Sequence, residues 1–401
     1  MITRYIIIHL ILILFAFGYA EWRFLRHVSW KKHMLWWIPE LLFIAYTIFL
    51  AFQHNFVPSP PTLLYVWLFL LALIVFPLLL FDFFSLTGST IDFILAHRHP
   101  NTRHYPNCRK WLERLSTLPV TFCIYVLIYG TFVGFYQFEV RRLDLAFDDL
   151  PTAFDGYRIV QFSDAHVGTL TDKRAQLLHQ AVDSINAQQP DMIVFTGDLQ
   201  NQMSDEIRPH IPILLKLKAK DGIYSVRGNH DYGYYNDFNL FDKNVDEETT
   251  VGLQQDMKWN VLMNSHNNIK RGNDILVIAG LENDGEGRFP QKGNLSYALW
   301  GSNRDRFTIM LEHDPTAWRR KILPHSHCQL TLSGHTHAAQ FSLFGWSPAR
   351  FLYREYDGLY QVGNRMMFVS KGLGGVIPFR FGTPGEIVVI TLHKKKTSNK
   401  N

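Results

Sequence analysis

Cysteine is scarce in this sequence. Its 401 residues hold only Cys108, Cys123 and Cys328, and no two of them suggest a disulfide or a thiolate metal site. Charge is also thin, at 19% of residues, and unevenly spread, because the first third is far more apolar than the rest. The net charge of +5 resides in the loops of that first third and in the tail His393-Lys394-Lys395-Lys396. No basic patch with interleaved aromatics follows in the second part, which argues against nucleic acid as a partner. The run Gly372-Leu373-Gly374-Gly375 lacks the helical pattern that a phosphate cradle needs after it, so it reads as a tight turn without a site role.

What the first third does have is long apolar runs. A bilayer core takes about 20 helical residues, and four stretches qualify: Tyr5 to Ala20, Met34 to Phe52, Thr62 to Phe84 and Leu118 to Phe138. Too little polar sequence accompanies them for core helices of a soluble domain. Glu40 beside Trp36 and Trp37 is expected at headgroup level. The connection from Glu21 to His33 carries Arg23, Arg26, Lys31 and Lys32, and that from Ser85 to Thr117 carries Arg98, Arg103, Arg109, Lys110 and Arg114. The segment from Gln53 to Pro61 carries neither Lys nor Arg. The positive-inside rule then puts both basic loops in the cytoplasm, against anionic headgroups, and the N-terminus and second half of the chain outside. A cleaved signal peptide over residues 1–20 is the rival reading, and it conflicts with that charge bias. The expected division is a transmembrane region over 1–140 and a second domain over 141–401 with a basic tail.

That second domain carries five short blocks: Asp164-Ala-His166, Gly197-Asp198, Gly228-Asn229-His230-Asp231, Glu312-His313 and Gly334-His335-Thr336-His337. They offer carboxylate, amide oxygen and imidazole, the ligand types that a hard divalent ion wants when it holds water for attack on phosphorus. Two metals a few ångströms apart need a shared ligand, and a carboxylate with two oxygens serves best. Asp198 is the candidate bridge. Each block follows an apolar run that reads as a buried strand: Arg158 to Phe162, Met192 to Phe195, Ile223 to Val226, Phe307 to Leu311 and Leu330 to Leu332. The ends of these strands are expected to converge on one sheet edge.

In this order the blocks resemble the calcineurin-like metallophosphoesterase superfamily, over roughly residues 155–390, and a set so ordered is specific where each block alone is weak. The resemblance implies an α/β fold, a two-sheet β-sandwich flanked by helices, with the metals at strand ends. By motif it assigns Asp164, His166 and His337 to one divalent ion, Asn229, His313 and His335 to the other, and Asp198 to both. It also implies that His230 faces the phosphate as general acid, oriented by Asp231, while a hydroxide held between the metals attacks in line. The metals would be drawn from Mn, Fe, Zn, Co or Ni. A lone histidine such as His313 is ordinarily structural, but in this set the ligand reading is the better one. His179, His210, His266, His325 and His327 lack such context and are left structural.

One departure matters. Where many members read Gly-Asp-x-x-Asp-Arg, this chain has Asn201 and Gln202. The resemblance is therefore to the bacterial, membrane-associated branch rather than the protein phosphatases. Arg227 is a candidate to restore the lost positive charge, although an exposed strand-end arginine is the plainer reading. Two aromatic stretches, Tyr232 to Asn244 and Phe341 to Tyr356, read equally as substrate walls or as capping loops. Elsewhere a helix is expected from Thr171 to about Ala187, helical pieces over Ile211 to Leu217 and Val251 to Met257, and a hairpin over Lys270 to Gly280. Met366 to Ser370 and Glu386 to Leu392 should close the fold. The expected activity is hydrolysis of a phosphodiester or pyrophosphate, with a lipid-linked or cell-envelope ester favoured over a soluble nucleotide. The competing class is a membrane sensor or transport-associated protein whose metal domain binds a phosphate ligand without turnover.

Overall fold

A computed structural model describes residues 2–52, 61–98, 107–235 and 239–395 of the chain. The Lys-free segment after Phe52, Arg103 of the second basic loop, Phe238 and the tail from Lys396 lie outside the described residues. The chain forms two compact units, Met1–Gly130 and Thr131–Asn401.

The first unit is helical: α1 (Ile2–Phe24), α2 (Trp30–Ala51), α3 (Thr62–Arg98) and α4 (Cys108–Phe132). Among the described residues, four helices are long and apolar enough to cross a membrane. Side chains such as Leu42, Phe83 and Leu118 face outward, as expected of helices solvated by lipid. The polar groups turn inward and find each other. Arg23 of α1 makes a two-pronged pair with Glu113 of α4 at 2.7 and 2.9 Å, and Ser85 of α3 donates to the same carboxylate at 2.7 Å. That pairing explains why α4 starts at Cys108 rather than near Leu118, since Glu113 is satisfied inside the unit instead of ending the helix. The fourth apolar run also stops short of the expected Phe138, which opens the first strand.

Among the described residues, the second unit has twelve strands in two six-stranded sheets, with orders β1-β12-β2-β3-β4-β5 and β10-β11-β9-β8-β7-β6. In the first sheet β2 (Tyr157–Phe162), β3 (Met192–Thr196), β4 (Ile223–Val226) and β5 (Trp259–Val261) run parallel, and β12 (Gly385–Lys394) is antiparallel to β2 and parallel to β1 (Phe138–Phe147). In the second, β7 (Asp274–Gly280), β8 (Phe307–Leu311), β9 (Leu330–Ser333) and β11 (Arg365–Val369) are parallel, with antiparallel β6 (Ser265–Arg271) and β10 (Gly358–Val362) at the edges.

The central strands are continuous apolar runs because both faces are covered. Ile159, Val194, Val226, Ile278, Ile309 and Leu332 pack between the sheets. Phe162 and Phe195 point the other way, toward α5 (Ala175–Ala187), whose Leu177, Leu178, Val182 and Ile185 recur at helical spacing. A third cluster with Trp318 and Met310 covers the outer face of the second sheet. The five site-bearing strands belong to both sheets rather than to one edge. β2, β3 and β4 are neighbours in the first, β8 and β9 in the second, and the blocks follow their C-terminal ends.

A candidate metal centre

Three of the five blocks leave their strands through backbone that side chains seldom adopt. Asp164, His166, Asp198, His335 and His337 all have positive φ, between 44° and 76°, a strained region that persists only where the surroundings over-determine it. Here the surroundings are tight. A Cβ on Gly334 would press on Ser163 Oγ and Asp164 Oδ2, and one on Gly228 on Asp198 Oδ1, so both blocks need glycine at these positions for close approach.

Among the described residues the blocks meet as two groups linked by a third, His166, Asp198 and His230, which shares a member with each. In one, His337 Nε2 lies 3.3 Å from Asp164 Oδ1 and 3.2 Å from His166 Nε2. In the other, His313 Nε2 lies 3.2 Å from Asp198 Oδ2 and 3.3 Å from His335 Nδ1. Asp198 Oδ2 is also 3.6 Å from His166 Nε2, so this carboxylate reaches both groups. Backbone carbonyls fix the rings: Thr196 O faces His313 Nδ1 at 2.7 Å and Gln200 O faces His166 Nδ1 at 3.2 Å, which turns each Nε2 inward. Asn229 gives its Nδ2 to Tyr235 Oη at 2.7 Å, while its buried Oδ1 has no hydrogen-bond partner. Imidazole nitrogens and carboxylates gathered in a buried cluster, with the unpartnered amide oxygen of Asn229 on the adjoining turn, form a donor set suited to divalent cations.

Electrostatics agree for most of the set. Burial is the main force lowering the pKa of His166 to about 3 and of His335 to about 4, with neighbouring imidazolium charge adding to it. Burial likewise holds His337 well below the ordinary value. Neutral imidazole is the form that binds metal. His313 differs: burial opposes its charge, but Asp198 and Asp164 overcome this and raise it to about 10. A cation there must displace that proton.

His230 sits beside these groups, its ring 4.9 Å from that of His166 and stacked at 4.0 Å on Tyr235. Its Nδ1 is 2.6 Å from the carbonyl oxygen of Asn201. Asp231, expected to orient it, does something else. Its carboxylate accepts from the amides of Asp198, Leu199 and Gln200 and from Gly228, at 2.9 to 3.3 Å. A carboxylate engaged by four amides ties the loop bearing Asp198 to the turn bearing Asn229, and it is the Asn201 carbonyl that lies against the His230 ring.

The calcineurin-like phosphoesterase family model matches residues 157–339. A metallophosphoesterase of Bacillus subtilis is 32% identical over 281 residues, covering 66% of this chain and 88% of that protein. The chain belongs to this family. A transmembrane protein with a metallophosphoesterase domain from Danio rerio is 30% identical over 289 residues, covering 70% of this chain, which spans 63% of that relative's length. The UDP-2,3-diacylglucosamine pyrophosphatase of Chlamydia muridarum is 27% identical, covering 63% of this chain and 88% of the relative. Metallophosphoesterases are metal-dependent, and the groups that could hold an ion here fall within the matched segment.

Six of the seven ligand candidates, Asp164, His166, Asp198, His313, His335 and His337, thus come together with His230, and Asn229 lies on the same turn as His230. The remaining histidines, such as His266 against Ala298 O and His327 against Thr308, stay outside the cluster. Arg227 is buried rather than exposed. It pairs with Glu247 and Glu282 and lies 4.2 Å from the Tyr232 ring, so its charge is neutralised locally.

Several residues beside the site escaped the reading of the sequence. Tyr353 Oη is 3.0 Å from His335 Nε2, and Phe289 meets the His335 ring edge-on at 4.7 Å. Asp314 Oδ2 is 3.5 Å from the same nitrogen. Buried Arg380 donates to carbonyls of Lys371, Gly372 and Gly374 and so braces the glycine turn behind Asp164. No local motif marks these residues. Tyr353 alone carried a signal, as a member of the second aromatic stretch.

Proposed function

We propose that this chain is a dinuclear metal-dependent phosphoesterase, in which Asp164, His166 and His337 would hold one divalent cation, Asn229, His313 and His335 a second, and Asp198 would serve both. The observation that carries this reading is Asp198 Oδ2, which lies within 3.6 Å of an imidazole nitrogen from each group. Bound divalent cations supply Lewis acidity toward the phosphoryl oxygens and a lowered pKa for the attacking water.

The protein's own groups do the rest. With Nδ1 held by the Asn201 carbonyl, His230 keeps its other ring nitrogen free to donate a proton to the departing oxygen. Asp231 keeps Asp198 and Asn229 in register through its four amides. The stacked Tyr235 ring shields one face of His230 from water. In-line displacement by water then needs no covalent enzyme intermediate.

For substrate we favour a lipid-linked phosphodiester or pyrophosphate. The chain carries four helices fit to cross a membrane, and one relative is named for a diacylated sugar nucleotide. The distribution of Lys and Arg between the loops favours a catalytic unit on the extracytoplasmic side. The completeness of the ligand set favours turnover over a purely sensory role.

The test is hydrolysis of aryl phosphodiester and monoester by the full chain in detergent loaded with Mn. His230→Ala should lower kcat by about 10²- to 10⁴-fold, and Asp198→Asn should abolish metal-dependent turnover. An Asp198→Asn enzyme equal to wild type on both esters refutes the shared-ligand assignment.

A further inference from the structure

Both sides of the candidate metal cleft end in large apolar side chains that the described residues leave uncovered. On one side α6 (Leu240–Asp256) begins with Leu240 and Phe241, 77% and 73% exposed. Asp246 ties that helix to the site by accepting from Gln200 Nε2 and from the amide of Ser204. On the other side Phe344, Phe351 and Leu352 are 100%, 75% and 78% exposed. Their loop is tied to the Gly334 block by Ser347 Oγ on Ala338 O at 2.6 Å and Thr336 Oγ1 on Tyr356 O at 2.5 Å. Five side chains this apolar and this exposed cost solubility, and on a water-soluble surface such patches mark a docking site.

We infer that this rim is a bilayer-docking surface, whose apolar tips enter the lipid headgroup and upper acyl region so that the cleft opens toward the membrane. The occupant is a phospholipid leaflet for two reasons. The same polypeptide bears four helices fit to span a bilayer, which keeps one within reach. Exposed Arg350 and Arg354 interleave with Phe351 and Leu352, the mixture of apolar anchors and cations that settles at an anionic interface. The opposite end of the catalytic unit, where the parallel strands begin, presents Asp305, Arg158 and Lys220 instead. The inference deepens the proposed reading by placing the substrate's source in a membrane, yet the rim would dock whether or not the cleft hydrolyses an ester.

The experiment uses the full chain with its three cysteines replaced by serine, reconstituted in nanodiscs of phosphatidylcholine and phosphatidylglycerol with or without a doxyl-labelled lipid. An environment-sensitive fluorophore on Phe344→Cys should emit with a blue shift and be quenched by the doxyl lipid. The same fluorophore on Asp305→Cys, beside the start of β8, should not be. Adding Leu352→Asp to the Phe344→Cys chain should abolish the quenching. Emission at position 344 that stays unshifted and unquenched, like that at 305, overturns the inference. A blue shift equal in detergent and nanodiscs, without doxyl quenching, also overturns it and assigns the rim to a protein partner or a second copy. Aryl ester hydrolysis by the same samples reads the catalytic assignment separately, so either claim can fail alone.

Discussion

At the scale of single residues, the site depends on backbone groups as much as on side chains. Asn201 presents its main-chain carbonyl to His230 Nδ1 at 2.6 Å. Asn201→Ala should therefore leave kcat within about tenfold of wild type, while His230→Ala falls by two orders of magnitude or more. A loss in Asn201→Ala as large as in His230→Ala would show that the side chain, through its bond to Thr169 Oγ1, matters more than the carbonyl. The ligand candidates were legible in the sequence because the chemistry they offer is carried by side-chain type and order. The carbonyl was not, since any residue supplies one. Arg227 was misread for a related reason: its partners Glu247 and Glu282 lie 20 and 55 positions away, and distance in sequence hides pairing.

At the scale of elements, the strands bearing the blocks were legible within one or two residues, because strands covered on both faces read as apolar runs. β1 was not, since Glu139, Arg141 and Arg142 make it look like a linker. Its charges are satisfied instead by tertiary partners, Arg141 by Asp357 and Glu386 at 3.2 and 3.3 Å. The short turn Ser204–Glu206 holds a titratable prop for the catalytic loop, as Glu206 accepts from the amides of Asn201 and Gln202 at 2.6 and 3.3 Å. Burial raises its pKa from 4.5 to about 7, against the pull of those amides. The folded state thus holds this proton more tightly than the unfolded chain. The stability so gained is full below about pH 4.5 and is lost as pH rises through about 7. Glu206→Gln keeps an acceptor without the charge, so its Tm should exceed that of wild type by about 2–4 °C at pH 8 and converge with it near pH 4.5. Parallel Tm curves for the two proteins across that range would contradict the assignment.

At the scale of the whole molecule, the ligand candidates divide between two sheets, with Asp164, His166, Asp198 and Asn229 after strands of one and His313, His335 and His337 after strands of the other. Cations bound there would clasp the sandwich at one end. Metal at about 100 times its Kd should then stabilise the catalytic unit by about 2.7 kcal/mol, and chelation should lower its Tm while the transition of the helical unit stays in place. A catalytic-unit transition indifferent to chelator and to added Mn would remove the clasp. The two-sheet arrangement itself came from family resemblance, because strand order and sheet membership rest on long-range pairing that no local pattern encodes.

The pairing of Phe138 with Gly385 at the start of β1 and β12 has a consequence for biogenesis. Sheet closure joins the strand that follows the last described apolar helix to the final described strand, so β2 gains its second neighbour only after residues 385–394 have left the ribosome. Nascent chains stalled before Gly385 should expose two naked strand edges and be cleared by proteases as unfinished goods.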